Sequence, residues 1–333
     1  MPIPVVTVAI PTLTAGDKLA ACLRALEVQT FRAFEAIVID NSGRAVVRAE
    51  GHSAKVIENR QNAGYGAAIN QAYHASDAPY LAALNDDAVP HPEWLAALVR
   101  AMERRPDAGM CASQVRLPGG RLDSAGMMIA GDGSSKQRGH GRPPGDFPVS
   151  EEVLFPSGSA ALYRRAMLED VGLFDEDFFL YCEDTDLGLR ARWRGWTCLY
   201  APDAVVEHGY SHSAGAASPL KAYYVERNRL FVLVKNYPGR MLWRAPFVCA
   251  TRYFWHVFYM LRGRGAAARF REEGHQSLRM PHCVLKAHFA LIGRLGRLRR
   301  ERWEIRAGAR LSPGVYSRLL GGHLMAARRV AEL

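Results

Sequence analysis

The sequence predicts an α/β fold: a mainly parallel central sheet with flanking helices, followed by a basic helical extension. Three observations predict it. Apolar, β-branched runs alternate with helical periodicity over the first 110 residues, the pattern of successive βαβ units. Three of those runs end in polar residues, at Thr12, Asp40-Asn41 and Asn85-Asp86-Asp87; open sheets of this class bind ligands outside the carboxyl ends of their strands. Charge then divides the chain. Residues 239–333 hold 19 Lys+Arg and 5 Asp+Glu, net +14, whereas residues 1–238 hold 24 and 28, net −4.

VVTVAIPT (Val5–Thr12) reads as a first buried strand. AGDKLAACLRALEVQT follows with Leu19, Cys22, Leu23 and Leu26 on one helical face. FEAIVIDNS (Phe34–Ser42) and AKVIENR are a second and third strand. QNAGYGAAINQAYHAS is a glycine loop running into a helix, YLAALNDD a fourth strand, and HPEWLAALVRAMERRP an amphipathic helix with Pro92 near its first turn. The stretch 117–148 is rich in Gly, Pro and Ser and reads as a long loop with a hairpin; loops of this length are usually functional or mobile. VLFPSGSAALYRRAMLEDVGLFDEDFF gives a strand, a tight Gly-Ser turn and a short helix. Beyond it come an acidic turn, a helix over Asp184–Arg194, and strands ending at His208.

These elements divide into a catalytic part, 1–238, with a ligand-binding half at 1–110 and a second half at 111–238, and an extension at 239–333. Overall, 49% hydrophobic and 23% charged residues describe an ordinary globular protein. Six cysteines lie far apart with no CxxC pair, which argues against zinc and a disulfide framework and suits a reducing cytosol. The opening MPIPVVTVAIPT lacks the basic flank and long apolar core of a secretory signal.

The chemistry rests on oxygen-bearing side chains at strand and helix ends. Asn85-Asp86-Asp87 can hold a divalent cation against a diphosphate, since Mg2+ and Mn2+ take one or two carboxylates plus substrate phosphates; a solvated turn is the bland alternative, and the buried strand before it favours the cation. Asp40 can accept from the imide N–H of a pyrimidine, or simply close an Asx-turn. NAGYGAAIN offers Gly64 and Gly66 for close backbone approach and a helix N-terminus for an anion. EDTDLGLR gathers Glu183, Asp184 and Asp186 in one turn, either as helix-dipole partners or with one of them as a proton acceptor. His208 and His212 follow a strand end and are either structural or metal-binding.

Taken together, VAIPT, QTFRAFEAIVIDNS, NAGYGAAIN, LNDDAVPHPEWL, SGSAALYRR, GLFDEDFFLYCEDTDLGLRARWRGW and KAYYVERNRLFVLVKNYP resemble the inverting, GT-A group of glycosyltransferase family 2, and within it the rhamnosyltransferase-like members. The resemblance runs over residues 5–238, in the family's order. It implies a GT-A fold, a nucleotide-sugar donor (dTDP- or UDP-linked) and Mg2+ or Mn2+. It implies donor contacts at Thr12, Asp40, Asn62, Gly64 and Asp86, metal ligation by Asp87 with His208 completing the shell, and Asp184 as general base flanked by Glu183. Arg227 and Arg229 match an RN motif expected at the diphosphate or the acceptor. The first acid of the family's common D-x-D pattern is Asn85 here. The implied acceptor is a saccharide, free or linked to a polyprenyl diphosphate. Two other classes stay open: a non-catalytic GT-A scaffold that binds a glycan or partner, and a nucleotidyltransferase. The latter would want a glycine-rich basic loop after the first strand, and PTLTAGDKL has one Gly and one Lys.

In the extension, Ala245–Leu261 is a 17-residue apolar run broken by Arg252 and His256, borderline for the ~20 residues that span a bilayer. RGRGAAARFR and GRLGRLRRERWEIR interleave basic with apolar and aromatic residues, as helices lying on an anionic membrane surface do. The expected location is therefore cytoplasmic, peripheral on the inner face of the cytoplasmic membrane. A helical cap with a solvated basic face is the alternative; no nucleic-acid motif accompanies the charge, so nucleic acid is not expected as a partner.

Overall fold

The computed structural model describes residues 4–47, 54–209, 218–265, 270 and 279–332; His212 lies outside them. The chain forms strands β1 (Val6–Thr12), β2 (Phe34–Asp40), β3 (Lys55–Glu58), β4 (Tyr80–Leu84), β5 (Ala88–Pro90), β6 (Ala108–Arg116), β7 (Leu122–Ser124), β8 (Met127–Ala130), β9 (Ser135–Gln137), β10 (Glu151–Val153), β11 (Ala160–Arg164), β12 (Thr197–His208) and β13 (Leu324–Met325). Its helices are α1 (Asp17–Glu27), α2 (Tyr65–His74), α3 (Trp94–Glu103), α4 (Arg165–Val171), α5 (Glu183–Trp193), α6 (Pro219–Asn236), α7 (Gly239–Leu261), α8 (Arg279–Ala307), α9 (Pro313–Gly322) and α10 (Ala327–Glu332).

The main sheet runs β10-β12-β6-β11-β4-β1-β2-β3. Its β4-β1-β2-β3 half is parallel, with Val6 opposite both Phe34 and Tyr80 and Thr12 opposite Asp40. Side chains of a strand alternate between faces. Val6, Val8 and Ile10 therefore enter the core under α1 and α3, while Ala9 enters the core under α2 and α5. β1 lies between β2 and β4, and the crevice outside the strand ends sits at such a reversal of strand order.

One strand departs from expectation. β6 is a nine-residue strand between β11 and β12, buried at eight positions, yet its AGMCASQVR has small residues where strand propensity favours branched ones. Within 117–148 the expected hairpin forms from β8 and β9, with Met127 opposite Gln137, and β7 adds a strand to β6.

The C-terminal helices share the core of the sheet. Leu298, Tyr316 and Leu320 are fully buried among α5 and α6 residues. Trp193 is held between the Tyr316 ring, stacked at 3.7 Å, and the Arg306 guanidinium at 3.5 Å. Much of the α8 charge is spent internally: Arg302 and Arg306 donate to the carbonyls of Val234, Asn236 and Tyr237 that end α6, and Arg297 pairs with Asp175 and Asp177. For these side chains the helical cap describes the geometry better than an open basic face. Among the described residues no helix is long and apolar enough to cross a membrane.

Candidate active site

Strand register brings distant polar residues to one sheet edge. In β4–β11, Leu84 faces Ala160, and the Asn85 N–H donates to the Ser159 carbonyl at 3.0 Å. The turn Asn85-Asp86-Asp87 and the turn Ser157-Gly158-Ser159 therefore sit side by side. β12 returns antiparallel to β5 with His208 opposite Ala88, which sets the imidazole against Asp87.

Around the first acidic pair, Thr12 Oγ1 donates to Asp86 Oδ2 at 2.6 Å. His208 Nε2 lies 3.2 Å from Asp87 Oδ1 and its Nδ1 lies 3.2 Å from Asp123 Oδ2. Burial opposes the charged form of His208, but its bonds to Asp123 and Asp87 overcome this and lift it to about 9. Burial likewise pushes the Asp87 carboxyl up, and the His208 hydrogen bond and charge bring it below its ordinary value. For Asp86 burial outweighs the Thr12 hydrogen bond and, with the Asp87 charge and against that of Lys18, holds it above the ordinary range.

This donor set fits a hard divalent cation. The carboxylates of Asp86 and Asp87 suit Mg2+ or Mn2+, which prefer oxygen ligands, and His208 would have to give up its Nε2 proton to join them. Among the described residues no three His, Cys, Asp or Glu side chains are grouped so that they could hold a metal ion by themselves. Asp87 and His208 would supply two ligands, leaving the rest to a diphosphate.

The second acidic pair opens α5. Asp184 accepts from the Gly158 N–H at 2.9 Å, the Thr185 N–H at 2.6 Å and Thr185 Oγ1 at 3.2 Å. Glu183 is buried, and its Oε2 meets no donor. Burial raises both carboxyls; for Glu183 the Asp184 charge adds to it, a bond from its own backbone N–H offsets only part, and Glu183 rises to about 8. One proton shared between these neighbours therefore resides on Glu183, and the charge on Asp184. Asp186 in the same turn is a structural anchor, bound by Arg190, Lys235 and Asn236 and lowered to about 2: burial raises it, and the Lys235 and Arg190 charges more than offset that.

The loop entering α5 is strained. Phe179, Tyr181 and Cys182 have φ of 62°, 69° and 66°, each costing ~1–3 kcal/mol in a non-glycine residue. Asn228 Nδ2 holds the loop by the carbonyls of Phe178, Leu180 and Tyr181 at 2.7–2.8 Å, and Arg227 donates to those of Asp177 and Phe178 at 2.6 and 2.8 Å.

Other expected residues sit differently. Arg229 does not reach the cleft: it is 1% exposed and pairs with Glu226 and Asp132. Burying a guanidinium requires such partners, so Arg229 is withdrawn from any ligand, while Arg227 and Asn228 of the RN motif clamp the α5 loop. Asp40 is buried and accepts from the N–H groups of Ser42 and Val47 at 2.9 Å each, the Asx-type geometry. Asn62 Oδ1 accepts from the Gly64 N–H at 2.9 Å. Gly64, at φ +91°, could not carry a side chain: a Cβ would fall 2.5 Å from the Phe179 carbonyl oxygen, so its close approach is to the strained loop. Asp123, Asn228 and Gly158 were not anticipated. Asp123 lies in the glycine-rich stretch with no pattern to mark it, whereas Asn228 sits inside the RN motif and Gly158 inside the Gly-Ser turn.

Comparison with known proteins agrees. Residues 7–172 match the family described as Glycosyl transferase family 2. The chain is 31% identical over 275 residues to the N-acetylglucosaminyl-diphospho-decaprenol L-rhamnosyltransferase of Mycobacterium tuberculosis, covering 73% of this chain and 87% of that protein. The chain belongs to glycosyl transferase family 2. This family 2 enzyme is also 28% identical over 171 residues to the O-antigen biosynthesis protein RfbC of Myxococcus xanthus, across 48% of this chain and 13% of that one. It shares the GT-A fold of GalNAc-T7, solved with UDP, GalNAc and Mn2+, at a TM-score of 0.57 and 15% identity over 81% of this chain and 54% of that chain. Family membership makes it a glycosyltransferase.

Proposed function

We propose that this glycosyltransferase moves rhamnose from a dTDP- or UDP-linked donor to a saccharide carried on a polyprenyl diphosphate, with inversion, during cell-envelope polysaccharide synthesis at the cytoplasmic membrane face. The sugar and the acceptor class follow the relative from Mycobacterium tuberculosis. The observation that carries the mechanism is the unequal pair at the start of α5, where Asp184 accepts three hydrogen bonds and Glu183 Oε2 has no partner.

Asp184 takes the proton of the acceptor hydroxyl. That oxygen bonds to the anomeric carbon from the face opposite the leaving group, the bond from that carbon to the diphosphate oxygen breaks, and the configuration inverts in one displacement. A bound Mg2+ or Mn2+ at Asp87 and His208 supplies Lewis-acid neutralisation of the departing diphosphate. Asp86 and Thr12 stand beside it, in reach of ribose or phosphate. Asn228 and Arg227 keep the α5 loop strained, so that Asp184 meets the Gly158 turn next to the donor turn.

A thermal-shift panel of nucleotide sugars, with and without Mn2+, tests the reading, because a ligand that binds only the folded chain raises its melting temperature. dTDP-rhamnose with Mn2+ is expected to give the largest shift. Equal shifts from all nucleotide sugars, unaffected by Mn2+, would leave a glycan-binding scaffold as the better account.

A further inference from the structure

Helix α7 is amphipathic in the reverse sense for a helix packed on a protein core. Its central cation faces inward: Arg252 is buried, pairs with Asp132, and donates to Glu226 at 2.8 Å. His256 lies 3.1 Å from the same guanidinium. The outward positions hold Trp243, Phe247, Phe254, Val257 and Leu261, which are 85, 76, 61, 52 and 76% exposed. Steps of four, seven, three and four residues keep them in one stripe, about 27 Å long at the α-helical rise. Single exposed apolar residues are ordinary, but a contiguous row of this kind marks an interaction surface. Exposed arginines bracket it, Arg240 and Arg244 at one end and Arg262 and Arg264 at the other.

We propose that this face of α7 is the enzyme's membrane-docking surface, lying along an anionic bilayer with its aromatic row among the acyl chains and its four flanking arginines on the headgroup phosphates. Charge complementarity selects this occupant. A second copy of the chain, packed row against row, would bring arginine clusters together, whereas anionic lipid neutralises both ends at once. A one-sided row also fits a helix that lies in the interface and does not span it.

Docking here deepens the proposed function and rests on it for its benefit to catalysis. A cleft of about 410 Å³ opens beside the row, lined by Phe247, Val248 and Thr251 of α7 and by Gly131, Leu324 and Met325. Gly131 belongs to the β8–β9 turn, and that hairpin continues to Ser135, whose hydroxyl oxygen lies 2.9 Å from Thr185 Oγ1, adjacent to the base Asp184. A lipid-linked acceptor can stay anchored in the membrane while its sugar approaches the base along this hairpin.

The test is flotation of the full chain with vesicles of phosphatidylcholine alone or with roughly 30% phosphatidylglycerol. The unaltered chain is expected to float with anionic vesicles only. Trp243→Ser with Phe254→Ser should lower the partition coefficient about tenfold or more at any ionic strength. Arg240→Gln with Arg244→Gln should lower it at low salt and leave it unchanged in high salt, where the attraction is screened. These side chains are exposed, so melting curves should match the unaltered chain. No flotation of the unaltered chain, equal flotation of the aromatic variant, or a concentration-dependent dimer that this variant abolishes would each overturn the proposal. Mn2+-dependent UDP or dTDP binding is measured on the same samples. Docking thereby succeeds or fails separately from sugar transfer, because the altered residues are remote from the donor turn.

Discussion

The molecule carries two pairs of adjacent acids, Asp86-Asp87 after β4 and Glu183-Asp184 at the start of α5, and their surroundings turn them to different chemistry. The first pair faces a cation: His208, pinned by Asp123, holds Asp87 low. The second has no cation against it; only neutral N–H and O–H donors reach Asp184, none reaches Glu183 Oε2, and both carboxyls rise. Under the proposed function the pair held by the imidazole is the ligand set, and the pair reached only by neutral donors is the base and its neighbour.

Exchanging the two roles is the strongest test. Asp184→Asn keeps the shape and one of the two accepting oxygens but cannot accept the proton, so kcat is expected to fall ~10²–10⁴-fold while Mn2+-dependent donor affinity is kept. In the unaltered enzyme the acid limb of the rate profile should lie above an ordinary aspartate's pKa, with activity lost as pH falls through it. Near-normal turnover of the variant would move the base elsewhere.

The other pair should fail in the opposite way. Asp87→Ala is expected to abolish the Mn2+-dependent part of nucleotide-diphosphate affinity, read by calorimetry with and without metal. Asp123→Asn, which leaves both ligands in place but loosens the imidazole, should weaken metal affinity by roughly 10–100-fold. If Asp87→Ala bound the nucleotide diphosphate with unchanged metal dependence, the contrast between the pairs would collapse.

Much of this contrast was legible in the sequence because it lies in local patterns. LNDD after a buried run, EDTD before a helix and the alternating strands all follow from short-range periodicity, and β1, α1, β2, α2, β4 and α3 form where those patterns run. The supports were not legible, because they come from register. Asp123 meets His208 only through β7 on β6 and β12 beside it. The strain at Phe179, Tyr181 and Cys182 depends on Asn228, 46 or more positions away in sequence. Arg229 illustrates the reverse: a charged residue in the RN motif that tertiary pairing with Glu226 and Asp132 takes out of the site. β6 was missed because small residues hide a strand whose burial is decided by its neighbours.

Glu183→Gln gives the smallest effect and isolates burial from catalysis. Glu183 titrates at about 8 in the folded chain against an ordinary 4.5. A carboxyl raised on folding favours the folded state while both forms are protonated, below about 4.5. As pH rises from there toward 8 the unfolded chain releases its proton first, and folding stability drains away. Glutamine has no proton to lose, so the variant should match the unaltered chain near pH 4.5 and melt progressively higher above it, by about 3–6 °C at pH 9. Turnover near neutral pH should change little, because Glu183 is already neutral there and Asp184 keeps its three donors. The measurement is a melting temperature at half-unit steps from pH 4.5 to 9. A difference that stays constant across that range would mean that Glu183 is ionised throughout, and that the two acidic pairs are closer in character than their partners indicate.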